Sequence, residues 1–344
     1  MLLSLFCGAG GLDLGFEQAG FDIALAFDIR NDSINSYNHN RAALGASVGQ
    51  CMDIRALTLD KLDEFYGGEF RPNGIIGGPP CQSFSRANKT RNDDDPRHEL
   101  PFVYAKLISD LNHRNPVPFF AFENVTGLNE EPHRQRYQTL LSELDQAGFA
   151  VTESILNATQ FGVPQNRVRV ILVGLNKELF DGAKWSPPLA MAVPKKKLTV
   201  RHAIASLPEA TYYRRGISKT DIQHHPNHWC MVPKSIKFVT PGALGVEKNG
   251  NRSFKTLHWD RPSLTVAYGN REVHVHPNRH RRLSVYEAMI LQGFPEHYEL
   301  LGSLSSQITQ VSEAVPPPMA KAIAQSIRSQ ISSLGIAKTL MIDN

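Results

Sequence analysis

Short apolar runs separated by amphipathic or polar stretches organise the first half of the chain: Leu2 to Phe6, Ile23 to Phe27, Gly74 to Ile76, Phe119 to Phe122 and Val168 to Val173. Runs this short, bounded by Gly, Pro, Asn and Asp, predict strands, and the helix-like stretches between them predict an α/β fold: a parallel sheet with helices on both faces. Ligands of such sheets sit at the carboxyl ends of the strands, so the residues that close each run are where chemistry is expected. Beyond Gly174 the pattern gives way to Pro-rich, irregular sequence with Trp185, Pro187, Pro188, Pro194, Pro208, Pro226, Pro233 and Pro241, which predicts a second, smaller domain. Regular pattern returns from Leu283 to Phe294 and again after Pro316, Pro317 and Pro318. There Ala320, Ile323, Ala324, Ile327 and Ile331 at helical spacing predict a terminal amphipathic helix packed on the core. The expected division is residues 1–178 for the sheet domain, 179–303 for the smaller domain and 304–344 for a segment returning to the first.

Composition narrows the class. With 344 residues, 41% apolar and 20% charged, the chain can bury a sizeable core and reads as a soluble globular protein. No run approaches the roughly 20 apolar residues of a membrane span, and Met1 to Phe6 lacks the basic start of a signal peptide. The four cysteines (Cys7, Cys51, Cys81, Cys230) show no Cys-x-x-Cys spacing, which favours a reducing, cytoplasmic compartment over a disulfide scaffold.

The net charge of +4 is unevenly distributed: Lys177 to His280 carries +10 and the remainder −6. That block holds eight of the thirteen histidines, Lys195-Lys196-Lys197 and Arg214-Arg215, and suits contact with a polyanion such as nucleic acid; the alternative is a solvated basic surface. His224, His225, His228 and Cys230 are too closely spaced for a usual zinc finger, and no metal is expected.

Two strand ends carry candidate chemistry. Gly77-Gly78-Pro79-Pro80-Cys81-Gln82 presents one cysteine after a short strand, and the prolines and Gln82 argue against a buried structural thiol. Phe119 to Phe122 ends in Glu123, a lone carboxylate that burial would keep protonated, or else a turn anchor. A thiolate can add to C6 of a pyrimidine when an acid at N3 takes up the developing charge, which makes C5 a carbon nucleophile toward a methyl donor. The first strand runs into Phe6-Cys7-Gly8-Ala9-Gly10-Gly11, and Asp28 closes the next run, placed for a ribose diol. This departs from the dinucleotide fingerprint, which would need glycine where Asp13 stands. In Gln165-Asn166-Arg167-Val168-Arg169 the two arginines share a strand face, as forks for a phosphate and a base carbonyl or as solvated edge residues.

In order, SLFCGAGGLDLGF (4–16) with Asp28, GGPPCQSFS (77–85), FENVTGL (122–128), QNRVRV (165–170), RLSVYEAMILQGFP (282–295) and QVSEAVPPPMAKAIA (310–324) resemble the DNA (cytosine-5)-methyltransferase family over nearly the whole chain. The resemblance implies a Rossmann-like S-adenosylmethionine-dependent fold with a target-recognition domain in the basic block, acting on flipped cytosine in double-stranded DNA. It implies Cys81 as nucleophile, Glu123 at N3 and the amino group, and Arg169 at the base carbonyl, with Arg167 and Gln165 in support. Phe6, Gly8, Gly10, Leu12, Asp28, Ile29, Asp53 and Leu100 would line the cofactor site, Asp28 at the ribose and Asp53 at the adenine edge. The loop 83–98, with Arg86, Lys89 and Arg91, would close over the base.

One departure stands out. The family's usual Gly-Asn pair is here Ser312-Glu313, and Glu313 would repel the cofactor carboxylate unless it met the amino group. Since the first motif opens the chain, a stand-alone, monomeric enzyme of bacterial or phage type is expected, possible partner to a restriction endonuclease of the same specificity. Two other readings stay open: a tRNA cytosine-5 methyltransferase, and a catalytically silent DNA-binding protein on the same scaffold.

Overall fold

The computed structural model describes residues 1–42, 48–80, 96–131, 133–189, 198–245, 254–265 and 273–335. Cys81, most of the loop 83–98 and Lys195 to Lys197 lie outside the described residues.

Seven strands form the central sheet: β1 Leu2–Leu5, β2 Ile23–Asp28, β3 Gly49–Cys51, β4 Ile75–Gly77, β5 Phe119–Asn124, β6 Phe149–Asn157 and β8 Val168–Asn176, with the two-residue β7 Gln165–Asn166 leading into β8. Their order is β3-β2-β1-β4-β5-β8-β6. The five expected strands all form, and β1 to β5 pair in parallel. The all-parallel expectation fails at the other edge, where β8 runs antiparallel to both β5 and β6. The physical reason lies in the connection: between β6 and β8 the residues 158–167 hold only a short 3-10 turn, Ala158–Phe161, and β7, with no crossover helix to carry the chain back to the starting edge, so β8 returns antiparallel beside β6.

Alternation along the strands sends side chains to two cores. Phe119 and Ala121 of β5 join Ile171, Val173 and Leu175 of β8 on one face, covered by α1 Gly11–Gln18 and α9 Pro317–Ser333 through Phe16, Met319, Ile323 and Ile327. Phe120 and Phe122 face the other side, against Tyr104 and Ile108 of α4 Leu100–Arg114 and Leu140 and Leu144 of α5 Arg134–Gln146. The expected terminal helix is therefore present, and it lies directly on α1. Gly15 makes that approach possible, since a Cβ there would stand 2.4 Å from the Cβ of Ala320.

Two shorter helices, α2 Asn31–His39 and α3 Leu59–Tyr66, follow β2 and β3; beyond β8 the described chain holds the one-turn α6 Val200–Ile204 and little other regular structure until α7 Val285–Gln292 and α8 Leu304–Glu313. These helices share an apolar cluster with Trp229, Phe294, Tyr298 and Ala9, which joins the basic segment to the turn after β1. A buried ion pair anchors the same region: Arg281 donates to both carboxylate oxygens of Glu287 at 2.8 Å, each residue only 1% exposed. Glu287 also completes a reciprocal cap with Ser284 at the start of α7.

Candidate active site

Two groups of residues stand at the carboxyl ends of the parallel strands. The first is the turn after β1. Phe6 adopts φ 57°, Gly8 φ 54° and Gly10 φ 85°. A non-glycine residue in this region is strained by about 1–3 kcal/mol and persists only where its surroundings hold it; the Phe6 ring packs against the core under the sheet, and the next amide, Cys7 N, donates to Phe27 O at 3.0 Å. Gly10 caps α1, and the turn is braced from outside by Tyr298, whose hydroxyl donates to Ala9 O. A Cβ built at Gly8 meets nothing within 4 Å, so the turn leaves an open cradle beside the first-turn amides of α1.

Asp28 closes β2 over that cradle. One carboxylate oxygen accepts from Gly8 N at 3.0 Å and the other from Arg30 N at 2.8 Å. Burial raises its pKa, opposed by the amides of Arg30 and Gly8. A carboxylate has roughly four acceptor positions, so about two remain for a diol. Ile29, beside it, is 63% exposed, an apolar face presented to solvent next to the cradle.

Three expected cofactor residues are differently disposed. The Leu12 side chain is packed into the core and leaves only its backbone for a ligand. Leu100 is buried at the start of α4. The Asp53 carboxylate caps its own short turn through Arg55 N at 3.0 Å and pairs with the Arg55 side chain, so the adenine edge would share an acceptor already engaged.

The second group surrounds Glu123. Glu123 is buried, and its Oε1 lies 2.9 Å from Arg169 Nε. Glu123 is therefore not the lone acid expected, because a guanidinium stands against it. The N–H is not aimed at Oε1, which leaves an ion pair rather than a hydrogen bond and keeps that oxygen's acceptor capacity unused by a described hydrogen bond. Asn124 donates to Pro79 O at 3.2 Å, and a Cβ on Gly78 would touch Glu123 Oε2 at 3.0 Å. The chain leading to Cys81 is thus pinned beside Glu123 as far as Pro79.

Arg167 requires a correction. Its guanidinium is buried and donates to the main-chain carbonyls of Ser312 at 3.1 Å and Glu313 at 3.4 Å, so it ties the chain just before β8 to the end of α8 instead of standing open as a fork for a phosphate. Gln165 donates to Gln292, whose amide donates to Val311 O and Ala314 O, so both polar residues of this strand serve the same C-terminal segment. Glu313 also departs from expectation: Arg30 grips both its oxygens, with Nη2 to Oε1 at 2.9 Å, so its charge is neutralised from within the protein. Arg30, Asn124 and Gln292 are not singled out by the sequence; Asn124 and Gln292 stand inside the motifs at 122–128 and 282–295, whereas Arg30 lies outside every motif.

The histidine group in the basic segment is internally committed. His228 bonds Ser284 Oγ and Pro208 O, and His225 stacks on Tyr286 at 4.1 Å. Burial pushes His225 down to about 4 and the Cys230 thiol up to about 12.

A model of the C-5 cytosine-specific DNA methylase family matches residues 1–329, across the glycine turn, Glu123 and the C-terminal segment alike. The chain belongs to that family. Among similar proteins are the Type II methyltransferase M.NmeDI of Neisseria meningitidis serogroup C, 32% identical over 97% of this chain and 84% of its own length, and the Type II methyltransferase M.FnuDI of Fusobacterium nucleatum, 30% identical over 96% and 95%. Among solved structures, one described as a DNA modification methyltransferase encoded within an Escherichia coli prophage has a TM-score of 0.75 at 22% identity, covering 96% of this chain and 99% of its own. The Dnmt2 methyltransferase of Schizosaccharomyces pombe has a TM-score of 0.63 at 19% identity, covering 97% and 99%. At these identities the two structures show the fold alone. As a C-5 cytosine-specific DNA methylase the protein uses S-adenosylmethionine, and the open cradle at Gly8, the residual acceptors of Asp28 and the exposed Ile29 fit its adenosine half.

Proposed function

We propose that this DNA methylase modifies C5 of cytosine within one specific duplex sequence, with Cys81 as nucleophile and Glu123 and Arg169 holding the base. The observation that carries the residue roles is the Glu123–Arg169 contact at the carboxyl end of β5, beside the Pro79 carbonyl two residues before Cys81.

With cytosine turned out of the helix, the Cys81 thiolate forms the Sγ–C6 bond while Glu123 meets N3 and the amino group and Arg169 the base carbonyl. S-adenosylmethionine, when bound, supplies the electrophilic methyl group. Loss of the C5 proton and return of the Sγ–C6 electron pair to sulfur then release Cys81. Asp28 orients the ribose diol and Ile29 covers the adenine. Arg167 and Gln165 position the C-terminal segment and touch no reacting atom.

The catalytic domain in this reading is 1–178, completed by 304–344, and the basic 179–303 segment is the target-recognition domain, whose arginines and lysines position phosphates while a few side chains read base edges. The Type II names of the relatives support a restriction endonuclease of the same specificity as partner, and the protein is taken to act as a cytoplasmic monomer. No described helix is long and apolar enough to cross a membrane.

The test is transfer of labelled methyl to unmethylated genomic DNA, with every 5-methylcytosine then mapped. A single recurrent sequence context is expected. No label in DNA, with label in tRNA tested alongside, would overturn the reading in favour of an RNA substrate.

A further inference from the structure

Glu313 is the last residue of α8, where the helix dipole disfavours an acid by a few tenths to about 1 kcal/mol. Its side chain is nonetheless turned to the cofactor side of the molecule and gripped by Arg30, which lies 283 positions away in sequence. The Arg30 amide is one of the two that pin Asp28, and the Glu313 charge acts on Asp28 directly. The main chain of the same segment is held from behind, through Ser312 O and Glu313 O, by buried Arg167. One ion pair therefore ties the loop carrying Asp28 and Ile29 to the C-terminal segment that packs on the glycine turn; a Cβ on Gly11 would stand 2.4 Å from Val315 O.

We propose that Arg30 and Glu313 form a clasp across the mouth of the S-adenosylmethionine site and set how long the cofactor stays bound. The proposal rests on the cofactor-site reading above. Both side chains are substantially exposed, at 41% and 39%, so the pair adds little to fold stability and can open and re-form. Arg30 also removes the repulsion that an unpaired Glu313 would exert on the Asp28 carboxylate. The pair makes Arg30 and Glu313 positioning residues, acting through the loop and through Asp28 rather than on the reacting atoms.

The test is a double-mutant cycle of Arg30→Met, Glu313→Gln and the double variant, read by calorimetric titration of S-adenosylmethionine into the DNA-free protein and by the dissociation rate of labelled cofactor. Each single change is expected to weaken binding about fivefold to tenfold, chiefly through faster dissociation, and the double variant to bind no worse than the weaker single. The KM for DNA should stay within about twofold, since the proposed role of the pair is confined to the cofactor loop. Melting temperatures of the free proteins should agree within about 2 °C, as expected for an exposed pair. Raising salt from about 0.05 M to about 0.5 M should weaken cofactor binding by the unmodified protein and leave the double variant unmoved. Single variants that hold the cofactor as well and as long as the unmodified protein would overturn the clasp, as would losses that simply add in the double variant. Asp28→Ala is run alongside: if it too leaves affinity unchanged, the cofactor-site reading itself has failed, whereas a loss there with none at Arg30 or Glu313 refutes the clasp alone.

Discussion

Replacing Asp28 by alanine isolates the contribution of one carboxylate to cofactor affinity. Its two oxygens each accept one backbone amide, at 3.0 Å from Gly8 and 2.8 Å from Arg30, which fixes the plane of the carboxylate and leaves about two acceptor positions for the ribose hydroxyls. A hydrogen bond to a charged group contributes about 1.5–3 kcal/mol, and two such bonds at the lower end give about 3 kcal/mol, a loss of roughly a hundredfold in affinity. Asparagine should fall between, because its amide keeps one acceptor but sets an N–H against either the Gly8 or the Arg30 amide. Calorimetric titration of S-adenosylmethionine gives the number, and turnover at saturating cofactor should fall far less than affinity. The pH dependence provides a second reading. Burial raises the Asp28 pKa, and the diol needs an ionised acceptor, so affinity should start to fall at a higher pH than for an ordinary aspartate near about 3.9. An alanine variant within threefold of the unmodified protein would refute the assignment of the ribose to Asp28.

Cys81→Ser should lower turnover by more than about a thousandfold while duplex DNA binding is retained, and the unmodified protein should form a covalent adduct with a 5-fluorocytosine duplex; a fully active serine variant refutes the nucleophile. Glu287→Gln leaves buried Arg281 with Glu209 as its remaining carboxylate partner, and should lower the unfolding free energy by about 2 kcal/mol in urea titrations; a loss below about 1 kcal/mol would show that the pair does not anchor α7. Opposite pH trends should be separable in melting curves. Burial holds His225 and His276 at about 4, below the ordinary value near about 6.5, so the unfolded chain takes up protons that the folded one refuses and stability falls as pH drops through that window. Burial holds Asp13 at about 6, above the ordinary value near about 3.9, so its contribution is lost as pH rises from about 4 to about 6. Asp13→Asn should therefore steepen the gain in stability with rising pH over that range, and a curve parallel to the unmodified protein's would contradict the assignment.

The strands, the terminal helix and the order of the site motifs were legible because each rests on local pattern: short apolar runs, prolines before a helical spacing, glycines where the backbone must turn. What was not legible depends on partners distant in sequence. Phe149–Asn157 gave no strand signal, because Thr152, Glu153 and Ser154 interrupt its apolar residues at the solvent-facing edge of the sheet. Arg167 and Arg169 are two positions apart and identical in type, yet one is buried against carbonyls of residues 312 and 313 and the other against Glu123; nothing in the strand itself distinguishes them. Glu313 looked like a repulsive charge because Arg30, its counterion, is 283 positions away in sequence.

The antiparallel edge explains how Glu123 and Arg169 come together at all. In the β5–β8 register Glu123 pairs with Ile171 and Asn124 with Val170, so Arg169 falls one position further along the same end of the sheet. Arg169 is near the start of β8, whereas Glu123 is near the end of β5. Had β8 entered in parallel, as the strand and helix alternation suggested, the start of β8 would lie at the amino edge, about the length of a six-residue strand, roughly 20 Å, from Glu123. The reversal brings an arginine from the beginning of one strand to a glutamate at the end of another. It also delivers Gln165 and Arg167, just upstream, to the C-terminal segment that closes the cofactor side. A change that lengthened the 158–161 turn would therefore act on the Glu123–Arg169 pair and on the contacts to the C-terminal segment together, because both depend on the register of the same strand.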